Sequence, residues 1–380
     1  MVSDYSYAPA RVYVHDGQGR RLVELVDAIG NRTYRTMEVS QAIYQIPETD
    51  PQLAVCDPTL GRILVIESTL YPTVWAGPIT QLAGRPASGE MTITARGYEA
   101  ILQERYLPTD FTIDGSAGAV FRGAWAAMER ENVTGVTLSN DIVAGPQFYG
   151  THYRSRKLFD AWNLLAQQVA HEWWLEHAVA GGVLQSQAHF RPARGEDHTA
   201  DVRIVVGPNG NARVNEWRIN TDATSHRIRA IAGAGTTATQ LSERPVTEVR
   251  ASASSPIARA SLVTISNSRL GVDFSNSPTG TNPITATEAF TVIESVPNEG
   301  ALKTAAQTAL VRGHRFERGI DLEIVGAGTM WRYVAPGDLV SLTLPPPYFI
   351  DGYDGPVAVV STQPMEHLGV LHIVVQVPNG

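Results

Sequence analysis

The 380-residue sequence holds a single cysteine, Cys56. That excludes an intramolecular disulfide and a multi-cysteine zinc site, and Cys56 reads as a small buried hydrophobe beside a strand. Lysine is almost missing, with Lys157 and Lys303 the two examples among 30 basic residues. That bias reads as a GC-rich genome rather than a binding function. A basic balance is missing too. The 38 acidic residues give a net charge of −8, which argues against a nucleic-acid binder, since phosphate affinity comes from basic surface. No apolar run approaches the ~18 residues of a membrane helix. The segment from Met1 to Ala10 is polar and has no signal-peptide core. The expectation is a chain made in a cytoplasm, not exported by the general secretory route and not stably inserted in a membrane. Asn31-Arg32-Thr33 and Asn132-Val133-Thr134 fit the glycosylation pattern, which has no meaning without secretion.

What is present is an internal duplication, the feature that fixes architecture first. Near the N-terminus, Arg62 to Glu67 leads to Trp75-Ala76-Gly77-Pro78-Ile79 and returns through Met91 to Ala95. Near the C-terminus, Asp338 to Leu342 leads to Tyr353-Asp354-Gly355-Pro356-Val357 and returns through Leu371 to Val375. Each copy reads as strand, short excursion, Gly-Pro, strand, hairpin, strand. Hydrophobic residues at 43% and charged residues at 18% suit a folded chain of this length with two to three domains.

The expected fold is mainly β, with two similar β-barrels flanking a helix-containing α+β domain. The boundaries read as 1–107 for the first barrel, 108–225 for the middle domain and 226–380 for the second barrel, with a Ser/Thr-rich insertion at about 247–296. In the middle region, Val120, Phe121, Ala124, Trp125 and Met128 share one helical face. So do Leu158, Trp162, Leu165 and Val169, behind a Ser155 cap. Trp173-Trp174-Leu175 and the run Val183 to Phe190 flank Gly181-Gly182 as a hairpin. Asp201 to Val206 and Ala212 to Ile219 read as another hairpin, and His226 to Ala232 as the first strand of the second barrel. Turns fall at Asn276 to Pro283, and a helix from Leu302 to Leu310 ends at Gly313.

Two stretches come near to chemistry and fail. His171 and His177 flank Glu172 and Glu176, but a helical zinc motif needs histidines four apart, and the fourth position after His171 is Leu175. His177 lies about 240° further round a helix, or roughly 20 Å along a strand. Gly233-Ala234-Gly235-Thr236-Thr237-Ala238 nominally fits a dinucleotide fingerprint, but no helical period follows it. No Gly-Lys-Ser/Thr loop and no Gly-x-Ser-x-Gly elbow occurs. No catalytic, cofactor or metal residue is assigned.

The order of barrel, helix-containing region and second barrel resembles the hub, or tail-associated, proteins of long-tailed bacteriophage baseplates. Carrying the resemblance are Trp75 to Ile79 with Met91 to Tyr98 and the helix around Leu102 to Arg105, then Leu158 to Ala170 with Glu172 to Leu175, and Arg332 to Val340. It matches least over the Ser/Thr-rich insertion, and the expectation is a hub without a fibre or lytic extension after the second barrel.

The resemblance implies a homotrimer whose six barrels form a pseudo-sixfold ring at the virion tail tip. Its partners are a distal tail or tube protein, a tape-measure protein and a tip fibre or spike, with DNA only in passage. An acidic lumen suits that passage. The alternatives are a spike-hub of a contractile injection or type VI secretion system, a tail-borne cell-wall or capsule hydrolase, and a carbohydrate-binding module using Trp173-Trp174 or Trp331-Tyr333. The structural turn candidates are Gly77, Pro78, Pro336, Gly337 and Asp338, and the subunit-interface candidates are Trp75, Trp331 and Tyr333.

Overall fold

A computed structural model describes residues 10–71, 73–85, 88–108, 111–130, 133–152, 156–169, 171–220, 227–232, 246–250, 262–265, 288–293, 317–326, 329–349 and 351–377. The N-terminal strands are β1 (Arg11–His15), β2 (Arg21–Glu24), β3 (Ile29–Arg32), β4 (Tyr34–Arg35), β5 (Gln41–Pro47), β6 (Ile63–Glu67), β7 (Trp75–Arg85) and β8 (Glu90–Arg96). All but β4 form one sheet in the order β2-β1-β6-β7-β8-β5-β3. A short helix α1 (Glu99–Leu102) leads into the middle region. There follow β9 (Thr112–Ser116), α2 (Ala117–Glu129), β10 (Val136–Leu138), β11 (Gln147–His152), α3 (Leu158–Val169), β12 (Glu172–Ala180) and β13 (Val183–Arg191).

The strands of the last part are β14 (Arg203–Val205), β15 (Ala212–Asn220), β16 (Arg227–Ala232), β17 (Val246–Arg250), β18 (Leu262–Ile265), β19 (Glu288–Ile293), β20 (Glu317–Val325), β21 (Leu339–Leu344), β22 (Tyr353–Met365) and β23 (Val370–Gln376). The second large sheet runs β14-β21-β22-β23-β20-β15.

The duplication is visible in strand order. Reading β1-β6-β7-β8-β5-β3 against β14-β21-β22-β23-β20-β15 aligns every strand of one series with one of the other. In both copies the Gly-Pro pair lies inside the long second strand, with Leu64 opposite Gly77 and Leu342 opposite Gly355. A register shift follows each pair, between Ile79 and Gln81 and between Val359 and Ser361. Such bulges bend a strand and increase its twist, which helps a sheet curl. The copies differ at the first position, because β1 runs antiparallel to β6 whereas β14 runs parallel to β21.

The segments Asp201 to Val206 and Ala212 to Ile219 do not form a hairpin. β14 and β15 lie at opposite ends of the second sheet, and Val206 bridges Ala212 where those ends meet. Asn211 holds the closure. Its side chain accepts from the Val205 amide at 2.8 Å and donates to the Arg203 carbonyl at 3.0 Å, while its own carbonyl accepts from Val325 at 2.9 Å. Ile204, Val206 and Ala212 are buried in the barrel core, so burial places both strands there. The stretch His226 to Ala232 had read as the first strand of this barrel, but its described strand β16 pairs with β17 and β19 in a separate sheet ordered β18-β17-β16-β19. The expected turns at Asn276 to Pro283, the helix from Leu302 to Leu310, the Ser155 cap and the Gly233 to Ala238 turn lie outside the described residues.

Two apolar clusters hold the rest. Successive residues of a strand point to opposite faces, and in β6 both faces are covered. Leu64 and Ile66 enter a core that continues into the second barrel, while Ile63 and Val65 meet the helices of the middle region. Two-sided burial explains why Ile63 to Ile66 is an unbroken apolar run.

In the middle region α2 buries Val120, Phe121, Ala124 and Met128, and Ser116 caps it by accepting from the Ala119 amide at 3.3 Å. Helix α3 buries Leu158, Trp162 and Leu165 against it. The hairpin of β12 and β13 turns at Gly181 and Gly182, both at positive φ (58° and 78°), as a two-residue primed turn requires.

Candidate functional site

The site lies where the two barrels and the middle region meet. β4 leaves the first sheet and pairs with β22, placing Tyr34 opposite Thr362 and Arg35 opposite Ser361. Below it, Arg32 and Glu366 are both buried and form a two-pronged ion pair, Nη2 to Oε1 at 2.7 Å and Nη1 to Oε2 at 3.1 Å. Arg32 Nε donates to the Tyr34 hydroxyl at 2.9 Å, which donates to the Thr73 carbonyl at 2.6 Å. The Tyr71 and Thr362 hydroxyls pair at 2.7 Å.

Burial alone works against both charges of the ion pair. For Arg32, the Tyr34 and Tyr44 hydroxyls together with Glu366 outweigh it and hold the pKa well above its ordinary value; for Glu366, the Arg32 charge and hydrogen bond hold it below. Burial also pushes the Tyr34 phenol up to about 12, so it stays a hydrogen-bond donor. A single apolar cluster runs through this junction from Val12 to Val377.

Beside the junction opens a cleft of about 320 Å³. Thr73 lines it from the first barrel, and Trp174, Glu176, His177 and Arg191 from β12 and β13. Arg194, Ala335, Pro336 and Asp338 line it from the segments entering the second barrel. The Trp174 indole stacks on the His189 imidazole at 4.8 Å and 4°. The Arg191 and Arg194 guanidiniums lie 5.0 and 5.7 Å from its ring centre.

His189 sits between two carboxylates, with Nδ1 2.9 Å from Asp141 and Nε2 3.0 Å from Glu176. Burial lowers the His189 pKa, but the neighbouring Glu176 and Asp141 carboxylates outweigh that and raise it. Burial lowers the cleft's own His177 to about 4 and, behind the cleft, raises Glu99 to about 7.

The structure treats the singled-out residues unequally. Pro336 and Gly337 form a turn, with Gly337 at φ 100°. Asp338 accepts from the Glu196 amide at 2.9 Å and the Ala335 amide at 2.7 Å, tying that turn to the segment entering the barrel. A Cβ on Gly337 would stand 2.8 Å from the Gly195 nitrogen. Gly337→Val is therefore expected to lose about 1–3 kcal/mol, from positive φ on a β-branched residue together with this contact. Chemical denaturation measures it, and an unchanged midpoint would show that the turn tolerates a side chain.

Gly77 and Pro78 lie within β7 rather than in a turn. Glycine is needed at 77 for close approach, since a Cβ there would fall 1.8 Å from the Arg96 carbonyl oxygen. Trp75 and Trp331 are 2% and 0% exposed and belong to the core joining the barrels, so neither is free to face another subunit. Tyr333 is 40% exposed and packs against His198 at 5.2 Å.

Trp173 is fully buried and cannot serve as a sugar platform. His171 Nδ1 contacts the Val169 carbonyl at 2.9 Å and His177 Nδ1 the Ser186 hydroxyl at 2.9 Å. Among the described residues, no group of three or more His, Cys, Asp or Glu side chains is disposed to hold a metal. Sequence reading missed Arg32, Glu366, Asp141, His189, Arg191 and Arg194. Ion pairs across 334 residues leave no local pattern; the nearest signal is the pair Arg191 and Arg194, three apart at the end of β13.

No protein-family model and no curated protein matches the sequence. The fold does match solved structures. The tail protein of Neisseria meningitidis MC58 aligns over 97% of this chain and 96% of its own, at TM-score 0.57 and 14% identity. Prophage tail protein gp18 of Listeria monocytogenes EGD-e aligns over 97% and 94%, at 0.55 and 10%. The 43 kDa tail protein of prophage MuSo2 from Shewanella oneidensis aligns over 97% and 98%, at 0.54 and 14%. The chain thus has the mainly β fold of phage tail proteins across nearly its whole length, in line with the resemblance to baseplate hubs.

Proposed function

We propose that this chain is a structural hub of a phage tail tip or baseplate and has no enzymatic activity. The observation that carries the reading is the joining, through one apolar core, of two large sheets whose strands follow the same order. Three such chains place six similar barrels around a ring while keeping threefold symmetry, so the ring can join a sixfold tube to a threefold tip. A rigid junction suits that role, because barrels that moved independently could not hold a common radius. The likeness to tail proteins supports the same setting.

The partners are two further copies of the chain, a distal tail or tube protein, a tape-measure protein and a tip fibre or spike. DNA passes through the ring without being held, for which a chain of net charge −8 is suited. Asp141 and Glu176 both contact His189, which makes them ion-pair partners rather than an acid and a base facing a substrate. Light scattering behind a sizing column, with the tail partner present, is expected to report three copies.

A further inference from the structure

The junction cleft combines two features not absorbed by a scaffold: a pair of guanidiniums with donors to spare, and walls whose carboxylates are already engaged. Each guanidinium has five N–H donors. Arg191 donates from Nη2 to the Arg194 carbonyl at 2.8 Å, its Nη1 is 3.8 Å from Asp141, and its Nε is buried with no hydrogen-bond partner. Arg194 donates from Nη1 to the Arg35 carbonyl at 3.5 Å, a weak bond for a charged group. Asp338 already accepts from two backbone amides, and Glu176 and Asp141 contact His189 from either side.

Both guanidiniums lie near the Trp174 ring, whose packing limits where their planes can turn. A half-buried cation is stabilised most by a direct anionic partner. Arg194 has Glu99, Glu172 and Asp338 in its surroundings but makes no salt bridge among the described residues.

We propose that this cleft binds a carboxylate of an acidic peptide segment, clamped between Arg191 and Arg194 over Trp174. A planar carboxylate matches the donor fork of a guanidinium. A monoanion also suits the site better than a dianionic phosphate, because Glu176, Asp141 and Asp338 stand close by and repel the second charge. The volume of about 320 Å³ lies at the small end of ligand sites, room for one or two side chains rather than a folded surface. Because the walls come from three parts of the chain, an occupant would bridge them and stabilise their mutual arrangement. The site is complete within one chain, so its test is independent of ring formation.

Titration calorimetry of the full chain at low salt and pH 7, with N-acetyl-Glu-Glu-amide in one arm and inorganic phosphate in the other, tests the proposal. Saturable one-to-one binding of the dipeptide is expected. Arg194→Gln and Arg191→Gln should each weaken it by about tenfold or more, the scale of a hydrogen bond to a charged group. Glu176→Gln should tighten it, and Arg203→Gln, remote from the cleft, should leave it unchanged. Thermal melts identify any variant that fails to fold, in which case Glu176→Gln and the remaining arginine variant decide. Absence of binding at tens of millimolar dipeptide would overturn the proposal, as would affinity indifferent to both arginines. Tighter binding of phosphate than of the dipeptide would overturn the carboxylate assignment.

Discussion

Replacing Glu366 by alanine is expected to destabilise the protein by about 3–5 kcal/mol, the cost of leaving one half of a buried ion pair uncompensated. Arg32 is fully buried, so its guanidinium cannot turn to water, and its remaining contacts are the Tyr34 and Tyr44 hydroxyls at 2.9 and 3.5 Å. Arg32→Met combined with Glu366→Leu should recover most of the loss, because the pair pays desolvation for both charges.

The pH dependence has a definite sign. Burial pushes the Glu366 carboxyl up, but Arg32 outweighs it and holds the folded pKa below the ordinary value. The pair's stabilisation is therefore fully present above the ordinary glutamate value of about 4.3 and is lost as pH falls through the lowered folded value. Urea denaturation of wild type and Glu366→Ala should show a gap that is constant near neutrality and narrows in acid. A gap under about 1 kcal/mol at pH 7, the scale of exposed pairs, would show that the barrels do not depend on this contact.

Trp173→Ala is expected to cost about 3–5 kcal/mol, the range for emptying a large aromatic site in a packed core. Trp173 meets Phe159 edge-on at 5.4 Å and Trp162 at 5.3 Å, and its indole N–H donates to Asn163 at 2.7 Å. Truncation removes those ring contacts and leaves the Asn163 carbonyl without its donor. The loss should fall unevenly. Trp173 belongs to the cluster of α2, α3, β12 and β13, whereas β20 to β23 are packed in the other one. Hydrogen exchange should therefore show protection falling around α2 and α3 well before β21 to β23. An even fall over both clusters would mean that they unfold as one unit.

What could be read from the sequence divides along physical lines. The duplicated strands were legible because each copy carries its own turn chemistry and its own apolar strand, both local signals. The stripes on α2 and α3 were legible because 3.6-residue spacing records which face is buried. The assignment of β14, β15 and β16 was not. Where β14 and β15 lie depends on pairing with β21 and β20, more than 100 residues away, and β16 pairs with β17 and β19 in a sheet of its own.

Trp75 and Trp331 were misread as subunit-surface aromatics for a related reason. Aromatic content records burial but not against what, and here both pack within the subunit, between its own barrels. Arg32 and Glu366 carry no motif at all. Arg32 stands in the polar run Gly30-Asn31-Arg32, which carries no sign that folding buries it beside a carboxylate 334 residues later.

The proposed role for two similar β-sheets per chain is to build a sixfold surface from three copies. A cryo-electron microscopy class average of the chain assembled with its tail-tube partner tests it most directly. A closed ring of three copies displaying six barrels is expected, with the first and second barrels alternating around it. A single copy within assembled tails, or a ring whose copy number does not give six barrels, would contradict it.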